Sequence, residues 1–218
     1  MGPDFQAQRI KMVDGQLRTT DVTGHALLEA FLDVPREMFV PHAKRDLAYL
    51  DADIELSPGR YLVEASPFAK MLALAESGAG DRVLDVGCGT GYSTAILAKL
   101  SRHVVALDSD AALAELARVN LAALGLTNAD VMNGELNKGA AQAGPFDVIV
   151  LSGSVSAAPV ELFKQLKEGG RLVAVENAGR VGAARLYVKR GEHVSSRFGF
   201  NASIKPLPGF TAPVEFAF

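Results

Sequence analysis

Residues 83–92 read Val-Leu-Asp-Val-Gly-Cys-Gly-Thr-Gly-Tyr, and no other stretch constrains the fold as much. An apolar strand carries an acid, Asp85, at its end. Glycines follow at alternate positions, Gly87, Gly89 and Gly91, and a helical pattern then runs from Tyr92 to Leu100. A buried strand that gives way directly to a helix is half of a parallel-sheet unit. Its closing acid lies at the mouth of the sheet, where open α/β sheets bind ligands. The glycines allow positive φ and a close approach of ligand to main chain. The helix start supplies free N–H groups and a partial positive charge.

From position 81 onward strands and helices alternate. The pattern predicts strands at 82–86, 104–107, 129–132, 147–151 and 171–175, with helices at 92–100, 111–124 and 159–167 between them. Gly125 stands where a helix C-cap glycine belongs, and Gly169-Gly170 marks the end of the later helix. This order implies an α/β fold, a Rossmann-like sheet with helices on both faces. Beyond Val175 the helices stop. Stretches 184–189 and 194–204 read as strands joined directly, an antiparallel edge. Residues 1–45 read as helices, with apolar spacing over 16–31 (Leu17, Val22, Leu27, Leu28, Phe31) and an end at Val34 before Pro35. Residues 46–65 are rich in turn formers, and 67–75 reads as a helix. The division expected is a helical cap with a substrate-side loop over 1–75 and a ligand-binding core over 76–218, in one compact unit. The alternating Val214, Phe216 and Phe218 suggest that 211–218 dock on the sheet.

Composition removes several functions. The net charge of −3 comes with no basic run, which argues against a nucleic-acid partner. No apolar stretch is of membrane-spanning length, and the N-terminus lacks a signal-peptide core. Cys88 is the only cysteine. A disulfide framework is excluded, as suits a cytoplasmic protein. Inside the glycine loop Cys88 reads as a small buried filler, since the four histidines lie far from it in sequence.

The glycine spacing selects among cofactors. A dinucleotide turn, G-x-G-x-x-G, needs glycine or alanine at position 92, where Tyr92 stands. G-x-G-x-G after an Asp instead resembles the signature of class I methyltransferases, which bind S-adenosylmethionine (SAM). The next strand ends on Asp108, about 20 residues on, where a carboxylate can take a ribose diol. Met12-Val13, Gln16-Leu17-Arg18 and the string Val-Pro-Arg-Glu-Met-Phe-Val-Pro at 34–41 narrow the resemblance to protein-L-isoaspartate O-methyltransferases. Ala48-Tyr49, Asp51, Gly59, residues 162–172 and Pro206-Leu207-Pro208-Gly209 continue it.

That resemblance implies methylation of the carboxyl of damaged aspartyl residues, with a protein or peptide as partner and SAM as cofactor. Gly87, Gly89 and Gly91 would pass beneath the methionine part of SAM. Asp85 would attract its ammonium, or else cap loop amides. Asp108 would hold the ribose, with Ser109 beside it, and Ser109 or Asp110 would cap the helix from Ala111. Gly134-Glu135 falls where the family has Gly-Asp near the adenine. Ser152, at the end of the fourth strand, would touch the reacting groups or cap the turn.

The substrate side departs from the family. Its Thr-Ile-Ser-x-Pro string falls on residues 61–65, so Tyr61, Val63 and Ala65 replace threonine, serine and proline. The serine hydroxyl would position the substrate carboxylate. Val63 cannot, a loss of about 1.5–3 kcal/mol for a charge-assisted hydrogen bond. Tyr61 either bonds the substrate or fills space. Glu64 and Glu176 bring negative charge, and like charges about 4 Å apart repel by roughly 4 kcal/mol at an effective dielectric near 20. If either points inward, a neutral or cationic acceptor, including a small molecule, becomes the alternative. A non-catalytic SAM-binding protein is a third reading.

Overall fold

The computed structural model describes residues 2–177 and 181–210. The cap holds α1 (Phe5–Met12), α2 (His25–Asp33), a hairpin of β1 (Ile54–Ser57) and β2 (Arg60–Leu62), and α3 (Ala65–Ala75). The core follows as β3 (Arg82–Val86), α4 (Tyr92–Leu100), β4 (His103–Asp108), α5 (Ala111–Ala123), β5 (Ala129–Asn133) and β6 (Phe146–Val155). It ends with α6 (Val160–Phe163), β7 (Leu166–Glu176), β8 (Ala183–Arg190) and β9 (His193–Asn201).

One seven-stranded sheet runs in the order β5-β4-β3-β6-β7-β8-β9. The five strands from β5 to β7 are parallel, and β8 and β9 add the antiparallel edge. The chain leaves β3 for β4 on one side and returns to β6 on the other, so the switch point lies at the C-terminal ends of β3 and β6. Alternation along the strands divides the core. Val83, Val104, Val148, Val150 and Val173 join the cluster beneath α2, α3 and α4. Leu84, Val105, Ile149, Leu151 and Leu172 face the opposite side, which α6 and Leu136 cover. Among the described residues no helix is long and apolar enough to cross a membrane.

Several boundaries differ from those the pattern predicts. The helix over 16–31 is broken. The Thr19 and Thr20 hydroxyls donate to carbonyls four residues back at 2.7 and 2.9 Å, and Asp21 turns left-handed at φ +66°, so local side-chain bonds compete with continuation. The turn-rich segment 46–65 contains the β1–β2 hairpin. Helix α3 starts at Ala65, two residues early, with Pro67 in its first turn, where proline is tolerated. The helix over 159–167 is a single turn. Leu166 already pairs with Phe146, and the register then shifts. Gly169-Gly170 therefore sits in a bulged β7 instead of ending a helix. Gly125 does follow α5 in the left-handed conformation, at φ +67°. Strand β9 stops at Asn201, short of 204. The expected docking of 211–218 lies outside the described residues.

Candidate active site

The strand–loop–helix decapeptide forms the floor of the site. Gly87 N–H and Cys88 N–H donate to Leu107 O at 2.8 and 3.2 Å, tying the loop to β4. Gly87 and Gly89 have φ of +84° and +56°, which a side chain rarely adopts. A side chain there would also displace a neighbouring leucine. A Cβ on Gly87 would lie 2.5 Å from Leu207, and one on Gly89 2.8 Å from Leu56. Gly91 opens α4.

Asp85 is fully buried. It accepts from Ser93 Oγ (2.6 Å), Thr94 Oγ1 (2.7 Å) and Ser152 Oγ (2.9 Å). Burial raises its pKa, and the three hydroxyls oppose that shift. These hydroxyls take the place of the loop amides that a capping role would use. They also explain Ser152, which reaches from β6 across the switch point to β3. The signal for Ser93 and Thr94 was in the sequence: both lie in the first turn of the helix that the loop opens, directly over the preceding strand end.

Asp108 is also fully buried. Its Oδ2 accepts from Gly89 N–H at 2.7 Å, and its Oδ1 from Asp110 N–H at 2.9 Å. Arg60 of β2 forms an ion pair with it, a partner that sequence reasoning missed because 46–65 read as turns. Ser109 is exposed. The cap of α5 is Asp110, which accepts from Ala112 N–H and Leu113 N–H at 2.9 and 3.2 Å. Gly134 N–H donates to Asp108 O at 3.0 Å. Glu135, next to it, is exposed and pairs with Lys138 at 2.6 Å.

Residues 61–63 meet this floor. Tyr61 and Val63 line one small cavity together with Gly87, Cys88 and Ser152. Val63 presents only methyl groups, and its carbonyl accepts from Arg36 at 2.8 Å. Arg36 is wholly buried, donates also to Ala48 O at 2.8 Å, and stacks 4.8 Å over the Tyr92 ring. The Phe39 ring packs 5.5 Å from Tyr92, and Phe39 O accepts from Thr90. The 34–41 string therefore works as a bracket that positions residues 48 and 63 against the loop. Lys205 Nζ lies 5.6 Å over the Tyr61 ring.

Neither glutamate behaves as an inward charge. Glu64 is absent from the cavity lining. Its carboxyl sits with Asp51 and Asp53, and burial, then the Asp51 charge and hydrogen bond, raise its pKa to about 7. Glu176 pairs with Arg185 at 3.0 Å and accepts from the Tyr187 hydroxyl, on the antiparallel edge. Neither carboxyl lines the cavity, so neither favours a cationic acceptor there. Burial pushes the Cys88 thiol well up, as a filler residue requires. Among the described residues no cluster of His, Cys, Asp or Glu could hold a metal ion.

Comparison with known proteins agrees with this architecture. The family model described as protein-L-isoaspartate(D-aspartate) O-methyltransferase matches residues 8–199. A protein-L-isoaspartate O-methyltransferase of Koribacter versatilis is 38% identical over 186 residues, 85% of this chain and 83% of that one. That of Methylorubrum extorquens is 41% identical over 171 residues, 78% of this chain and 75% of that one. A solved protein-L-isoaspartate O-methyltransferase superposes with a TM-score of 0.79 at 26% identity, covering 92% of this chain and 66% of that one. A beta-aspartate methyltransferase from Plasmodium falciparum, solved with S-adenosyl-L-homocysteine, shares the fold, with a TM-score of 0.77 at 18% identity over 94% of this chain and 99% of that one. With the match spanning cap and core alike, the chain belongs to the protein-L-isoaspartate(D-aspartate) O-methyltransferase family, whose members are SAM-dependent methyltransferases.

Proposed function

We propose that this chain transfers the methyl group of SAM to the carboxyl of isoaspartyl residues in damaged proteins or peptides, in the cytoplasm. The observation that carries the reading is the shared cavity. Tyr61 and Val63, at the family's acceptor string, face Gly87 and Ser152 of the cofactor floor across one space.

The residues fit the cofactor. The loop offers glycine backbone at positive φ at Gly87, Gly89 and Gly91, Asp108 offers a carboxyl group one strand away, and Asp85 offers a second, buried one beneath the loop. When bound, SAM supplies an activated methyl on a sulfonium, ready for in-line displacement. The protein's part is alignment and exclusion of water. A carboxylate acceptor is already ionised near neutral pH, so no general base is required. Three hydroxyls fix Asp85 in one orientation. The apolar face of Val63 keeps the acceptor side dry, and Lys205 at the Tyr61 ring brings a cation to the rim for an anionic acceptor.

Transfer of labelled methyl to an isoaspartyl peptide, recovered as a base-labile ester, tests the proposal. Val63→Ser should raise kcat/KM by about 10- to 150-fold, the value of one charge-assisted hydrogen bond of roughly 1.5–3 kcal/mol. SAM binding without ester formation by either protein would move the acceptor to another chemical class.

A further inference from the structure

Arg60 keeps its charge inside the protein. Its side chain is 7% exposed, and it pairs with an Asp108 carboxylate that is 0% exposed. Its Nε is buried with no hydrogen-bond partner among the described residues. A buried guanidinium with an open donor is costly to hold by itself. Two contacts keep its hairpin over the loop. Ser57 Oγ donates to Asp110 at 3.2 Å, and Leu56 occupies the space beside Gly89, 2.8 Å from the place of a Cβ. The cavity left between hairpin and loop is about 10 Å³, room for about one water.

Asp108 has too few acceptor positions for its present donors and a ribose diol together. An ionised carboxylate has about four. On Asp108, Oδ2 is filled by Gly89 N–H and Arg60, and Oδ1 is half filled by Asp110 N–H. A ribose diol held at both hydroxyls donates twice, so one present donor has to leave. The two amides belong to the glycine loop and to the start of α5. Arg60 sits on a hairpin whose strands, among the described residues, pair only with each other, which makes it the donor with least to hold it.

We propose that Arg60 is an internal competitor for the cofactor's ribose. Cofactor entry exchanges the Arg60–Asp108 ion pair for a diol–Asp108 contact, and β1–β2 shifts outward as Arg60 withdraws. Arg60 then sets cofactor affinity and takes no part in methyl transfer. The inference rests on the SAM-binding reading of the loop and is independent of the acceptor.

Calorimetric titration of S-adenosylhomocysteine, adenosine and 2′,3′-dideoxyadenosine into the wild type and Arg60→Gln tests the exchange. Arg60→Gln should bind S-adenosylhomocysteine and adenosine about tenfold tighter, with dideoxyadenosine unchanged, since only a diol gains from the vacated carboxylate. The preference for adenosine over its dideoxy form should accordingly be small in the wild type and large in the variant. If Arg60→Gln does not fold, Arg60→Lys, which keeps the charge on a single donor group, should show the same preference at an intermediate size. Wild-type binding with equal or weaker binding by the variants overturns the competitor role and leaves the cofactor reading standing. No binding of S-adenosylhomocysteine by any of the proteins overturns both.

Discussion

At the scale of residues, this site is held together by buried polar side chains bonded to main chain and to one another. Arg36 illustrates how. It donates to the carbonyls of Ala48 and Val63 and so holds those two segments together. Glu64 carries a prediction. Its pKa is raised from 4.5 to about 7 by burial and by Asp51, so between those two values the folded state holds a proton that the unfolded state has lost. Stability then falls as pH rises through that window and levels off above it. The midpoint of denaturant unfolding should drop between pH 4.5 and about 7 in the wild type, and Glu64→Gln should flatten that slope. Identical slopes in the two proteins would place the proton elsewhere in the cluster.

At the scale of elements, what could be read from sequence depended on how far each segment is governed by its neighbours in the chain. The β3–loop–α4 unit was legible to the residue, because its strand, glycines and helix follow from local pattern. So was Asp108, which ends the next strand. The β1–β2 hairpin was not. Its strands are four and three residues long, it is joined at Pro58-Gly59, and it is stabilised by long-range contacts to Asp108 and Asp110 that no local period announces. Arg60 was missed with it. The helix over 159–167 failed for a related reason, since pairing of Leu166 with Phe146 overrides a short helical pattern. The cap of α5 belongs to the legible class. Asp110→Ala should cost about 1 kcal/mol of stability by leaving two amides without their acceptor, while Asp110→Ser should lose only a fraction of that. Chemical denaturation of the two variants distinguishes a capping role from a charge effect at Ser57, which would make both equally damaging.

At the scale of the whole molecule, cap and core share their interior. Met12, Phe31, Phe68 and Tyr92 belong to the same apolar cluster as Val83, Val148 and Val173 of the sheet. The Phe31 ring packs 6.1 Å from Phe68 and 6.2 Å from Tyr92, bridging α2 to both α3 and α4. Removing the cap would therefore strip α2 and α3 from one face of the parallel sheet and leave its apolar residues beside α4 exposed, which such sheets do not tolerate. The proposed division near position 75 is then one of roles within a shared interior: the cap would supply the acceptor wall and Arg60, and the core the loop and its acids. Unfolding in denaturant should accordingly be a single cooperative transition. Backbone circular dichroism and tyrosine fluorescence should share one midpoint, because Tyr49 and Tyr61 report the cap while Tyr92 and Tyr187 report the core. A ligand that binds only the folded chain should move both probes together, by about 2.7 kcal/mol at a concentration one hundred times its Kd. Two separate midpoints, with S-adenosylhomocysteine shifting only the later one, would show instead that the core holds the cofactor without the cap. A core freed of the cap would also be freed of Arg60, so on the competitor reading it should bind S-adenosylhomocysteine at least as tightly as the intact chain does.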